Sequence, residues 1–184
     1  MLGALLASAG VVHADTPVIN EAAAVTTGAT RLASTAVGGT GLLFPIDPLP
    51  VCEVFNNFGG YSKSLGAGGH QGVDIGARLG QEVYAVEDGV LYRDFNSSAS
   101  GIGWGLWSDT DTRYRYYHLD AKADGLAVGD RVVTGQLIGY VGDTGNAVSG
   151  GWHLHFEVRP GPDPYATPVD PVPLLDIPGS CNVY

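Results

Sequence analysis

Of the five histidines in this chain, four are spaced so that they could do metal or acid–base chemistry. Two lie in the stretch Gly151 to Pro160, which reads G-W-H-L-H-F-E-V-R-P. Trp152, Leu154, Phe156 and Val158 alternate there with His153, His155, Glu157 and Arg159. Alternation with period two predicts a β-strand with one face buried, and it sets the two imidazoles side by side above a hydrophobic floor. A lone histidine beside a core is usually structural, but two on one strand face are costly to build for packing alone. Upstream, His70-x-x-x-Asp74 flanks Gly72 and leads into the apolar Val73 and Ile75. Imidazole and carboxylate are ordinary zinc ligands. By itself that pair is a weak signal. Joined to His153-x-His155 it gives three or four nitrogen and oxygen ligands converging from two segments. The fourth histidine, His118, ends the β-prone run Arg113 to Leu119, in which alternation places Tyr114, Tyr116 and His118 on one face.

Short strands must position these groups. The chain has 184 residues, room for one domain with extensions, and it is 45% hydrophobic but only 15% charged. Its 28 glycines and 11 prolines suit many turns between short strands rather than long helices. Val83 to Val86 and Gly89 to Tyr92 read as strands around a turn at Glu87-Asp88-Gly89. Val128 to Val132 and Gln136 to Val141 read as two more. Gly101 to Gly105 is glycine-rich but precedes no helix and lacks dinucleotide-binding spacing, so a nucleotide site is rejected there. A net charge of −10, with nine Lys and Arg and no basic cluster, argues against nucleic acid and anionic membranes as partners.

The ends of the chain read differently from its middle. Residues 1–14 resemble a secretory signal peptide: an apolar run from Leu2 to Val12 is followed by Val12-His13-Ala14, small or aliphatic at the cleavage positions. The run is too short to span a bilayer and stay there, so no membrane insertion is expected once it is cleaved. His13 belongs to this leader and is set aside. Residues 15–44 are rich in Ala, Thr and Gly and read as a linker without a face to bury. The folded domain is expected over 45–184. The two cysteines, Cys52 and Cys181, lie near the ends of that domain and match no metal-binding spacing, which predicts one disulfide and an oxidising, extracytoplasmic location.

Three motifs together carry a family resemblance: His70-x-x-x-Asp74, Tyr116-x-His118-Leu119, and His153-Leu154-His155-Phe156-Glu157. In this order, and framed by Gly72-Val73-Asp74-Ile75, Asp88-Gly89-Val90 and Val128-Gly129-Asp130, they resemble the lysostaphin-type (LytM-like) zinc endopeptidases over roughly residues 55 to 172. The resemblance implies a mostly β fold, an antiparallel sheet forming a groove, with zinc held by His70, Asp74 and His155. It implies His118 and His153 as the catalytic pair. It also implies a substrate in peptidoglycan, either a stem-peptide cross-link or a glycine-rich bridge, in the cell wall, the periplasm or outside the cell. A monomer is expected. Three protein ligands leave a tetrahedral position open, the pattern of a catalytic zinc, which lowers the pKa of a bound water to roughly 7. No His-Glu-x-x-His helix supplies a glutamate base, so two imidazoles must share the proton transfer and oxyanion stabilisation. Glu157 is expected to support a neighbour rather than to catalyse, and Tyr61 and Tyr116 are left out of the catalytic set. Trp152 stands where the family commonly has proline, the loop from Thr144 to His153 is longer than usual, and 96–112 matches poorly, leaving one groove wall unassigned.

Competing readings use the same residues. A non-catalytic wall-binding module or activator of other hydrolases would keep the fold, but such proteins usually lose a ligand, and all five positions are intact here. A structural zinc site would leave two imidazoles without a purpose. A carboxypeptidase or dipeptidase would share the ligands and differ in the groove.

Overall fold

Alternation builds a sheet with two different faces. The computed structural model describes residues 41–62, 69–148, 150–163 and 165–184, so the expected signal segment and the linker up to residue 40 lie outside the described residues. The strands are β1 (Glu53–Phe55), β2 (Val73–Gly76), β3 (Glu82–Tyr84), β4 (Gly89–Ser97), β5 (Gly101–Ser108), β6 (Thr112–Lys122), β7 (Arg131–Val132), β8 (Leu137–Val141), β9 (His153–Pro160) and β10 (Asn182–Val183). They join in the order β10-β1-β2-β9-β6-β5-β4-β7, with β8 pairing both β3 and β6. Among the described residues the only helices are two single 3-10 turns, Gly145–Ala147 and Val172–Leu174. None is long and apolar enough to cross a membrane. The fold is thus mostly β, with an antiparallel central sheet.

One face of that sheet is the core. Val73 and Ile75 of β2, Leu154, Phe156 and Val158 of β9, Tyr114 and Tyr116 of β6, and Trp104 and Leu106 of β5 are all buried there. Phe156 lies between the two tyrosine rings, stacked on Tyr114 with centroids 5.9 Å apart and tilted to Tyr116 at 5.3 Å. Burying each such ring contributes about 1.5–3 kcal/mol. The opposite face carries His155, Glu157 and Arg159 of β9, which register against Tyr117, Arg115 and Arg113 of β6.

Several sequence expectations change here. Trp152 does not join the buried row: it precedes β9 and is 47% exposed, because Gly151, at φ +89°, turns the chain just before the strand begins at His153. The face opposite the core is not solvent-washed, since His155, Glu157 and Arg159 are themselves buried. Leu42 and Phe44, at the end of the expected linker, are packed: Leu42 bridges to Leu175, and Phe44 is buried in the core. Finally, 101–108 is a full strand. Its glycines take one side while Trp104 and Leu106 fill the core from the other.

Cys52 and Cys181 form a disulfide, their Cα atoms 4.7 Å apart and 129 residues apart in sequence. It locks β1 against its parallel neighbour β10. Closing a loop of that length contributes about 4 to 5 kcal/mol in the chain-entropy treatment.

Candidate active site

The register of three strands assembles the site. Asp74 on β2 lies directly opposite His155 on β9, and His155 lies opposite Tyr117 on β6. His70 comes from the segment just before β2, four residues ahead of Asp74 in sequence. The side chains of His70, Asp74 and His155 each offer a ligand atom, and these atoms all lie within 4.8 Å of one another. His70 Nε2 is 3.2 Å from Asp74 Oδ2, and His155 Nδ1 is 2.9 Å from Asp74 Oδ1. Tetrahedral zinc ligands with bonds of about 2.0–2.1 Å stand about 3.3 Å from one another, so the donor set fits that ion.

The far nitrogen of each of the four imidazoles in the site is also fixed. His70 Nδ1–H donates to the Asn57 carbonyl at 3.1 Å, which leaves Nε2 facing Asp74. His155 turns Nε2 toward Glu157 Oε1 at 3.4 Å, leaving Nδ1 for Asp74. His118 Nδ1–H donates to the Thr144 carbonyl at 2.8 Å, and His153 Nδ1–H to the Gly151 carbonyl at 2.9 Å. Carbonyl and carboxylate acceptors of this kind orient metal-binding and catalytic imidazoles.

Electrostatics favour a cation at the triad. Burial pushes the Asp74 carboxyl up, but hydrogen bonds from His155 and His70 outweigh it and hold the group well below the usual carboxylate range. Burial likewise pushes the His155 imidazole down, yet the hydrogen bonds to Asp74 and Glu157 win and raise it to about 9. Two carboxylates therefore converge on one ring and hold positive charge there, as they would a divalent ion. His118 behaves oppositely. Burial, then the neighbouring His153 and His155, lower it to about 4, so it is a neutral base at neutral pH.

His118 reaches the site through a β-bulge. The β5–β6 pairing runs from Ile102↔Leu119 to Trp104↔Tyr116, so Tyr117 and His118 together oppose Gly103 alone. His118 takes φ +64°, a left-handed conformation uncommon for a residue with a Cβ and typical of functional sites. The bulge breaks the alternation that placed His118 on the face of Tyr114 and Tyr116. Tyr116 stays in the core, where its hydroxyl oxygen accepts from Val86 N–H, while Tyr117 stacks on His155 at 5.7 Å. The His118 and His153 rings are 5.0 Å apart, and His118 is 5.9 Å from His155.

Glu157 is buried and holds neighbours in place. Besides His155 it accepts from Arg159 Nε at 2.7 Å and from Arg115 Nη1 at 3.3 Å. Gly72 is required beneath it: a Cβ there would lie 2.3 Å from the Phe156 carbonyl oxygen and 2.9 Å from His155 Nε2. Tyr61 is exposed at the groove rim.

Asn57 is the residue that sequence reasoning missed. Its carbonyl takes His70 Nδ1–H, its Nδ2 donates to Asp74 Oδ2 at 2.8 Å, and its Oδ1 accepts the Asp74 backbone N–H at 3.2 Å. One side chain and its own backbone thus orient two of the three candidate ligands. Because it lies 13 and 17 residues from its partners, in a segment with no periodicity, the sequence carries no pattern that marks it. Asn57→Ala should weaken zinc binding about 10- to 100-fold while leaving the ligand set complete. Titration of zinc against a competing chelator measures this, and an unchanged affinity would reduce Asn57 to a packing role.

The site lies in an open groove of about 750 Å³ that runs across the sheet from His70 and Asp74 past Tyr117 to Arg93 and Phe95 on β4. Residues 68–171, more than half of the chain, match the profile of peptidase family M23. The glycyl-glycine endopeptidase ALE-1 of Staphylococcus capitis is 32% identical over 119 residues, 64% of this chain and 32% of that protein. This chain therefore spans about a third of that relative's length. The catalytic domain of the antimicrobial peptidase lysostaphin from Staphylococcus simulans superposes with a TM-score of 0.57 at 31% identity, covering 65% of this chain and 89% of that domain. A zinc-containing peptidase from Vibrio cholerae superposes with a TM-score of 0.52 at 26% identity, covering 64% and 36%.

Proposed function

This chain belongs to peptidase family M23, and we propose that it is a zinc-dependent endopeptidase that hydrolyses peptide cross-links or bridges in bacterial peptidoglycan. The observation that carries this reading is three ligand atoms within 4.8 Å of one another, with two further imidazoles 5.0 Å apart beside them on the floor of an open groove. His70 Nε2, an Asp74 oxygen and His155 Nδ1 would hold the metal. Bound there, zinc supplies a Lewis acid that polarises the scissile carbonyl and makes water acidic enough to ionise near neutral pH.

The chain's own groups do the rest. His118 and His153 point their Nε2 atoms into the groove because both Nδ1 atoms are tied to backbone carbonyls. Between them, one takes the proton of the attacking water at its Nε2 and passes that same proton to the leaving amine, while the other, protonated at Nε2, hydrogen-bonds the developing oxyanion. Tyr117 and Glu157 fix the His155 ring from its face and its edge. The disulfide and the expected signal segment both support export, where peptidoglycan is found.

Digestion of purified peptidoglycan should release new amino termini at one bond type, identified by mass spectrometry of the fragments. Direct cross-links and glycine bridges are both tested. Cleavage of an unrelated soluble peptide with none in either wall type would overturn the substrate assignment. Binding to the wall without any new termini would favour the non-catalytic module.

A further inference from the structure

The groove does not end at the metal triad, and its far end has its own chemistry. From His155 on β9 an aromatic floor crosses the sheet: Tyr117 stacks on His155 at 5.7 Å, and Phe95 meets Tyr117 edge to face at 4.9 Å. The floor stays low between Tyr117 and Phe95 because β5 presents Gly103 there. A Cβ at Gly103 would lie 2.3 Å from the Tyr116 carbonyl oxygen and 3.1 Å from the Tyr117 ring. Over Phe95 sits Arg93, its guanidinium carbon 4.7 Å from the ring centroid.

Arg93 stands apart from the other cations on this face. Arg113, Arg115, Arg159 and Arg93 make up four of the chain's nine Lys and Arg residues. Arg159 is held by Glu157, the Ala166 carbonyl and Gln71, Arg115 by Glu157, and Arg113 by the Gly161 carbonyl. Arg93 is exposed and forms no ion pair among the described residues. Its neighbour Asp94, which also lines the groove, is paired with Lys122. The carboxylates that line the groove, Asp74, Asp94 and Glu157, are all engaged. A chain of net charge −10 otherwise repels anions, so one steadied, exposed guanidinium in the groove is a local sink for them. Its planar fork matches a carboxylate in two parallel hydrogen bonds.

Resting on the peptidase reading above, we propose that Arg93 forms a carboxylate-binding subsite, by which the groove selects peptides carrying a free carboxylate over uncharged glycine bridges. Strands β9, β6, β5 and β4 are spaced about 4.8 Å apart, which puts the subsite roughly 10–14 Å from the reacting centre. An extended peptide covers that in about three to four residues. Stem-peptide cross-links with free carboxyl groups meet the requirement. A bridge of glycines has no side-chain charge to offer, so this chain departs from the preference that the name of its glycyl-glycine endopeptidase relative states.

The test separates binding from cutting. Zinc-loaded His118→Ala protein, slow to cleave, is titrated by calorimetry with a soluble cross-linked stem-peptide dimer and with the same dimer amidated at every carboxyl. The free-acid dimer should bind about 10- to 100-fold more tightly, the range for hydrogen bonds to a charged partner. Adding Arg93→Gln should bring the two within about twofold by weakening only the free acid. Wild-type kcat/KM should follow the same order, with pentaglycine amidated at its C-terminus grouped with the amidated dimer. Equal affinities in the Arg93 protein, a preference that survives Arg93→Gln, or no binding of either dimer would each overturn the subsite. If the preference holds and wild type cuts neither dimer nor pentaglycine, the subsite stands and the peptidase reading falls.

Discussion

Asp74→Ala should abolish zinc binding and take peptidoglycan cleavage below detection. Asp74 is the hub of the site: its two oxygens face His70 Nε2 and His155 Nδ1, and its backbone N–H is held by Asn57. Its loss removes a ligand and a negative charge together, leaving two imidazoles to hold a dication. The carboxylate also accepts from Asn57 Nδ2, so alanine strands that donor and releases the residue that orients His70. Asp74→Asn separates the two effects, because it keeps the shape and an oxygen ligand while losing the charge. It should retain some zinc and bind it more weakly. Elemental analysis after dialysis against a weak chelator should give about one zinc per wild-type chain and none for Asp74→Ala. Stripping wild type with a strong chelator should stop cleavage, and restoring zinc should restore it. Wild-type protein without zinc after zinc is supplied, or full activity after stripping, would remove the metal from the mechanism.

The parts of this site that follow a period were legible, and the parts made by irregularity were not. The strict alternation of 153–160 places His153 and His155 on one face, and the strand after His70 brings Asp74 into line with them. His118 was identifiable by type and by resemblance, but its side of the strand was not. A bulge against Gly103 moves it, and bulges leave no periodic trace. Strand β5 was hidden for a related reason. Gly101, Gly103 and Gly105 alternate with Ile102, Trp104 and Leu106, a period-two pattern that glycine content disguises as a loop. The signal was the large apolar residue at every second position. Glu157 reads from sequence as a residue that supports a neighbour, and its burial between two arginines agrees with that. Asn57 had no local pattern at all, since its work is done by long-range hydrogen bonds that only the folded chain defines.

His118→Ala should keep its zinc and lose hydrolysis, whereas His70→Ala should lose both. His118 takes no part in the ligand triad; its Nδ1 is committed to the Thr144 carbonyl, and its ring stands 5.9 Å from His155. Removing it deletes one hydrogen bond, worth about 1 kcal/mol of stability. Alanine, like histidine, carries a single Cβ and no branching at it, so φ +64° stays open to it and the bulge can persist. What goes is a positioned, neutral imidazole beside His153, which typically costs about 100- to 10,000-fold in rate. That corresponds to roughly 3 to 5.5 kcal/mol of barrier. His70→Ala instead removes a ligand and the ring that packs edge-on against His155 at 4.7 Å. The same two assays, zinc content and cross-link cleavage, therefore return different pairs of results for the two variants. Cleavage by His118→Ala at the wild-type rate would make His118 a packed residue and leave His153 to do the proton transfer alone. Loss of zinc from His118→Ala would mean that the ring holds the triad in shape. Retained zinc with lost cleavage is the outcome expected if the bulge at Gly103 exists to bring a base to the metal.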